Sequence, residues 1–236
     1  MTGVRILPVE GIPEVREGDD LAALIGKAAE LEDGDVLVVA QKVVSKAEGR
    51  VVHLDTVEAS KRAVELAADR DPRELEVVLR EARRLVRVRP PLVIAETRHG
   101  FVCASAGVDH SNAGGSGELV LLPLDPDASA LRLSERLGVP VIVSDSFGRP
   151  FRQGTTDVAI GIAGIPALLD LRGVRDSAGY ELRTTTIAVA DEIAGAAELV
   201  MGKTGGIPAA IVRGLALHGD GNARDLVMPA DRDLFR

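Results

Sequence analysis

Two acidic residues stand where a metal ion and a phosphate could meet. Asp109 follows the apolar stretch Phe101–Ala106 and Gly107, and precedes Asn112, Gly114, Gly115 and Gly117. A carboxylate at the mouth of a strand, beside a glycine-rich turn, suits a metal ion carrying phosphates. Glycine lets backbone N–H groups approach an anion, and the metal offsets the anion's charge. The same residues also suit a plain surface turn. Asp145-Ser146 forms a second acidic corner, again where an apolar run, Val139–Ser144, stops. Carboxylates with a hydroxyl are hard oxygen donors of the kind Mg²⁺ or Mn²⁺ takes. Arg149 and Arg152 follow closely. Their guanidinium forks match a phosphate or a carboxylate, although exposed arginines on a polar loop read the same way.

Lysine is scarce, with only five in the chain, and Lys42 and Lys46 both follow an apolar strand directly. A point-like ammonium can sit on terminal phosphates and stabilise charge that develops during transfer. Ordinary surface lysines are the other reading. Met201-Gly202-Lys203-Thr204-Gly205-Gly206 resembles a phosphate loop but fails the test. The first glycine of a P-loop would fall on Ala197, and the segment follows a helix instead of joining a strand to one. A glycine turn near a nucleotide stays open. No dinucleotide-binding G-x-G-x-x-G follows a strand. His53, His99, His110 and His218 lack zinc-ligand spacing. His110 adjoins Asp109, as an aid to proton transfer or as a bystander. Cys103, the sole cysteine, sits mid-strand and packs in the core. Ser111 has no nucleophile-elbow context.

The elements that must position these residues interleave strands and helices. Val4–Val9 reads as a strand. A helix follows, with Leu21, Leu24, Ile25, Ala28 and Ala29 at helical spacing and Asp19 or Asp20 as its cap. Val36–Ala40 is a continuous apolar strand of the buried kind. Residues 56–69 and 73–85 read as amphipathic helices split at Asp71-Pro72. Val93–Glu96 and Phe101–Ala106 read as a hairpin around Arg98-His99-Gly100, and Leu119–Leu124 as another strand. Ala128–Leu137 is a helix capped by Asp127 and ended by Gly138. Val139–Ser144, the apolar Val158–Ile165, a helix over Ile187–Met201 and a strand over Ile207–Val212 complete the pattern. The tail from Gly219 reads as loose. The expected fold is mixed α/β or α+β with two subdomains, in preference to a doubly wound sheet.

Composition narrows the function classes. The chain has 236 residues, 46% hydrophobic, a net charge of −8, four Phe, one Tyr and no Trp. Nucleic-acid binders need a basic footprint and often aromatic platforms, so no nucleic-acid partner is expected. No run approaches the ~18 apolar residues of a membrane span. The N-terminal MTGVRILPVEG is too short and too weakly basic for a signal peptide. A cytoplasmic protein without a membrane partner is expected. Asn and Gln number only four, which draws attention to Asn112. Abundant Arg fits a thermophile or a GC-rich genome.

Four motifs in one order carry a resemblance. They are Gln41–Arg50 (QKVVSKAEGR), Asp109–Gly114 (DHSNAG), Asp145–Pro150 (DSFGRP) and Gly202-Lys203 with Gly206-Ile207-Pro208. The chain resembles the coenzyme F420-0:L-glutamate ligases from about Val9 to Gly214. The resemblance implies a GTP-dependent ligase that adds L-glutamate to the coenzyme F420 precursor through a γ-linked tail. It implies an intertwined homodimer of two-subdomain protomers that uses Mg²⁺ or Mn²⁺, with K⁺ as a further candidate. The residues matching the family's metal ligands are Asp109, Asp145 and Ser146. Those matching its nucleotide site are Gly11, Ile12, Pro13, Glu14, Gln41, Lys46, Asn112, Met201, Gly202, Lys203, Thr204, Gly205, Gly206, Ile207 and Pro208. Lys46, Arg149 and Arg152 are the expected charge-stabilising groups in catalysis, the arginines from their position alone. Some relatives carry Thr at Ser146, which keeps the hydroxyl. Many carry Gln or an acid at Lys203, where it can help a second metal, and a protonated lysine cannot. The form expected is the one without the C-terminal nitroreductase-like domain of actinobacterial relatives. The same acids could serve a metal-dependent phosphohydrolase or phosphotransferase, or a non-catalytic nucleotide- or deazaflavin-binding module. Gln41–Arg50 favours the ligase.

Overall fold

Strand β1 (Arg5–Pro8) leads through a loop to helix α1 (Leu21–Ala28), whose first turn is closed by the Asp20 side chain accepting from the Ala23 N–H at 3.0 Å. The computed structural model describes residues 3–110, 115 and 117–234. Strand β2 (Val36–Ala40) passes without a break into a short helix, α2 (Gln41–Ala47). The chain then leaves for β3 (Val51–His53), helices α3 (Lys61–Ala67) and α4 (Pro72–Glu81), and strands β4 (Ala82–Arg89), β5 (Leu92–Thr97), β6 (Val102–Ala104) and β7 (Glu118–Val120). It returns through α5 (Pro126–Leu137), β8 (Val141–Gly148) and β9 (Thr155–Ala163). The small strands β10 (Leu169–Asp170) and β11 (Thr186–Ile187), helix α6 (Val189–Met201) and β12 (Ala209–Arg213) follow.

The central sheet runs β1-β12-β2-β8-β9, with β2 and β8 parallel and every other neighbour antiparallel. Its strands read as unbroken apolar runs because both faces are covered. Alternation sends Leu37, Val39, Val141, Val143 and Ile211 to the core beneath α1 and α5. Val36, Val38, Ile142, Ala210 and Val212 go to the core beneath α6. Gly161 lets α5 approach the sheet, since a Cβ there would lie 2.2 Å from the Pro126 carbonyl oxygen. Arg213, at the end of β12, holds the fully buried Asp35 at 2.7 Å, at the entry to β2. Burial alone would raise the Asp35 pKa, but the guanidinium and the Glu32 N–H outweigh it and hold the carboxyl below its ordinary range.

The segment between α2 and α5 has a core of its own, built on Leu75, Val78, Val93, Ala95, Leu119 and Leu121. It contains the antiparallel sheet β4-β5-β6 and the β3–β7 pair. The architecture is therefore mixed α/β, as the sequence predicts.

Several boundaries differ from expectation. Helix α4 ends at Glu81, and 82–89 is a strand. Arg83-Arg84-Leu85-Val86-Arg87-Val88-Arg89 alternates as well as it spirals, and Glu96 on β5 accepts from both Arg83 and Arg84. Helix α3 begins only at Lys61, where Ser60 caps it. Strand β6 stops at Ala104, because Ser105, Ala106 and Gly107 all take positive φ. Strand β7 ends at Val120. Asp125, not Asp127, caps α5; Asp127 instead accepts from the Ile162 and Ala223 N–H groups. The tail after Gly219 is packed: the Gly221 N–H bonds the Ile165 carbonyl at 2.9 Å, and Ala223 is buried in a short 3-10 turn.

Candidate active site

Strands β2 and β8 run parallel, so their carboxyl ends open side by side, and ligands of α/β sheets bind in that kind of crevice. The loop into β12 closes the same end, with the Ala40 N–H bonded to the Pro208 carbonyl at 2.8 Å. A cleft of about 270 Å³ results, near the lower limit of small-molecule sites. Of the residues expected at the nucleotide, Ile12, Pro13, Glu14, Gln41, Lys46, Met201, Gly202, Lys203, Thr204, Gly206, Ile207 and Pro208 line it, as do Asp145 and Ser146. Gly11 and Gly205 flank that lining in the chain. Gly202 and Gly206 take φ of 56° and 67°, which glycine adopts without strain.

Helix α2 delivers three polar side chains to the cleft. Gln41 is 1% exposed; its Oε1 accepts from the Ser45 hydroxyl at 2.9 Å, while its Nε2 has no partner among the described residues. A buried amide donor left in this way costs free energy unless something in the cleft accepts from it. The Lys46 ammonium is buried and pairs with Glu14 at 2.5 Å. One turn earlier, the Lys42 ammonium lies 2.5 Å from the Asp109 carboxylate.

Asp109 is held in place by its backbone, which exchanges two 2.9 Å hydrogen bonds with Val120 of β7. Asp145 lies near enough for both Lys42 and Asp109 to act on its titration, so the two acids distant in sequence stand in one neighbourhood around Lys42. Burial pushes the Asp145 carboxyl up to about 7, and the neighbouring Asp109 and Asp157 add to the rise; the Ser146 N–H and Lys42 oppose it. Cys103 lies nearby. Burial first, then the charge of Asp145, pushes its thiol up to about 12, so it stays protonated and is no nucleophile.

Asp145 and Ser146 are not at a strand end, contrary to expectation. Strand β8 continues to Gly148, because β9 supplies polar partners where the apolar run stops. Asp157 on β9 stands opposite Ser146. Its two oxygens accept from the Ser144 hydroxyl at 2.9 Å and the Ser146 hydroxyl at 2.5 Å. The Lys203 ammonium in turn donates to the Ser146 Oγ. Sequence reading missed Asp157, which stands just before the apolar run Val158–Ile165. A charge abutting a buried strand was the available signal.

The two carboxylates, one of them pushed towards protonation chiefly by burial, are hard oxygen donors of the kind a divalent ion takes. Among the described residues, no three His, Cys, Asp or Glu side chains form a ligand group by themselves. An ion would therefore take the place of the Lys42 ammonium against Asp109 and draw on Asp145, while Ser146, expected to join them, projects from the other face of β8 towards Asp157 and Lys203. Arg149 and Arg152 are not part of the cleft wall. They lie exposed in the β8–β9 turn, where Arg149 donates to the Gln153 carbonyl at 3.2 Å. His110 turns to Arg70, 3.2 Å away, and to Glu74, 3.4 Å away, on the inserted segment. Asn112, like Ser111 and Gly114, lies outside the described residues.

A family profile described as F420-0:Gamma-glutamyl ligase matches residues 11–214. The chain is 49% identical to a protein of Methanopyrus kandleri named coenzyme F420:L-glutamate ligase, with all of both chains covered. It is 44% identical to the protein of that name from Methanothermobacter thermautotrophicus, with 99% of each covered. The protein of that name from Archaeoglobus fulgidus is also 44% identical, covering 99% of this chain and 96% of its own. Among the described residues, no helix is long and apolar enough to cross a membrane. With the match spanning most of its length, this chain belongs to the F420-0:gamma-glutamyl ligase family.

Proposed function

We propose that the chain is a homodimeric ligase that joins L-glutamate to the terminal carboxylate of coenzyme F420-0 at the expense of GTP. Family membership and the names of the relatives support glutamate ligation to this coenzyme. The observation that carries the chemistry is that Asp109 pairs with Lys42, near enough to Asp145 to act on its titration, beside a cleft lined by Lys42, Lys46, Asp145 and residues of the 201–208 loop.

A free carboxylate is a poor acyl donor, so activation is the hard step. In the proposed reaction, a carboxylate oxygen of F420-0 attacks the γ-phosphorus of GTP, and the bond to the β-phosphate oxygen breaks. The products of this half are an acyl phosphate and GDP. The amine of L-glutamate then attacks the acyl carbon, inorganic phosphate leaves, and the amine loses a proton as the amide forms. Proteins that transfer phosphoryl groups mainly position them and neutralise charge.

Each side chain has a part in that task. Lys46 swings from Glu14 to the terminal phosphate. The Gln41 amide gives its unused donor to the nucleotide, and N–H groups of the 201–208 loop face the phosphates. Asp109 and Asp145 would hold Mg²⁺ or Mn²⁺, which would supply positive charge to the phosphates as the γ-phosphoryl group is transferred. Hydroxylamine tests the order of events. With F420-0 and GTP but no glutamate, it should trap the acyl phosphate as a hydroxamate in step with GDP release. GTP hydrolysis that ignores F420-0, with no hydroxamate, would instead mark a phosphohydrolase. Binding without turnover would mark a non-catalytic module.

A further inference from the structure

Asp157 is 6% exposed, and both its oxygens are taken by neutral hydroxyls, Ser144 and Ser146. A buried carboxylate satisfied only by neutral donors still needs positive charge close by. Among the described residues, the one cation joined to this network is Lys203. It reaches Asp157 through a single oxygen: its ammonium donates to Ser146 Oγ, whose proton goes to Asp157. The Ser146 hydroxyl is thereby turned round. With its proton committed to Asp157, its lone pairs face the cleft, the orientation a metal ligand needs. An ammonium already occupies them.

Two sets of hard oxygens thus stand at this end of the sheet. Asp109 and Asp145 form one, beside Lys42 on α2. Ser144, Ser146 and Asp157 form the other, on the opposite face of β8, because side chains alternate along a strand. Lys42 is anchored on a helix within the cleft wall and is only 14% exposed at its side chain, while Lys203 stands on an exposed glycine loop that bends over Ser146. A loop lysine on a flexible stem can stay with a substrate phosphate as it binds.

We propose that Lys203 is a tethered cation that fills the place beside Ser146 and Asp157, so that each protomer takes one divalent ion instead of two. The ammonium does there what a second ion would do, bringing positive charge to the nucleotide's phosphates without being lost to solvent. This inference rests on the metal reading under Proposed function.

Counting Mn²⁺ by electron paramagnetic resonance, with GDP present, tests it without turnover. Wild-type protein should bind one Mn²⁺ per chain. Lys203→Gln, an exposed substitution on a loop, should bind two, because the freed Ser146 and Asp157 oxygens accept an ion. Lys203→Arg, which keeps the charge, should stay at one, and adding Asp157→Asn to Lys203→Gln should bring the count back to one. Two ions on the wild type, or one on Lys203→Gln with native circular dichroism, would overturn the tethered-cation role and leave the ligase reading intact. No ion on the wild type would overturn both this role and the metal reading beneath it.

Discussion

Asp145 shows how a single residue reports on the whole site. Burial and two nearby acids raise its pKa to about 7. Its carboxyl therefore keeps a proton well above the ordinary range, and a metal ion must displace that proton. Mn²⁺ affinity should rise as the pH passes upward through about 7 and level off above it, which isothermal titration at several pH values would show. Affinity that is flat from pH 6 to 8 would separate Asp145 from the ion. Lys46 offers a second test. Lys46→Met keeps the stem and removes the charge, so kcat should drop roughly 10²–10³-fold, the usual loss for one preorganised charge-stabilising group. Steady-state kinetics with an unchanged thermal midpoint would check this. Asp109, Asp145 and Lys46 were legible in the sequence because each breaks an apolar run at a motif. Asp157 was not, since its significance comes from a cross-strand neighbour eleven positions earlier. Arg149 and Arg152 show the converse. Closeness in sequence to Asp145 did not bring them into the cleft, because the strand carries them past it.

The elements that hold these residues were legible where one period dominated. The run Val36–Ala40 and the Ala-rich α6 left little choice between helix and strand. Helix α2 could not be read, because its seven residues include Val43 and Val44 and are too few to show a helical period. Residues 82–89 satisfied both periods, and only pairing with β5 decided between them. Packing between elements was invisible for the same reason: it depends on residues far apart in sequence. Gly161 illustrates this, for a methyl group there would press on the α5 backbone. Gly161→Ala should cost about 1–3 kcal/mol or more, the usual penalty of overpacking, read as a lower midpoint in urea unfolding. An unchanged midpoint would mean that α5 can retreat from the sheet.

For the molecule as a whole, the account makes one central claim: Asp109 and Asp145, brought together by separate parts of the fold, support GTP-dependent attachment of glutamate to F420-0. Mixed α/β architecture was legible from the interleaved strands and helices. That the acids come into one neighbourhood was carried only by the motif order, since nothing local ties β7 to β8. The direct test is mass spectrometry of F420-0 incubated with the purified protein, L-glutamate, GTP and Mn²⁺. The account predicts one or more glutamyl additions that require GTP, and none with Asp109→Ala protein that retains native circular dichroism. Absence of any addition by folded wild-type protein, or near-normal addition by Asp109→Ala, would contradict it.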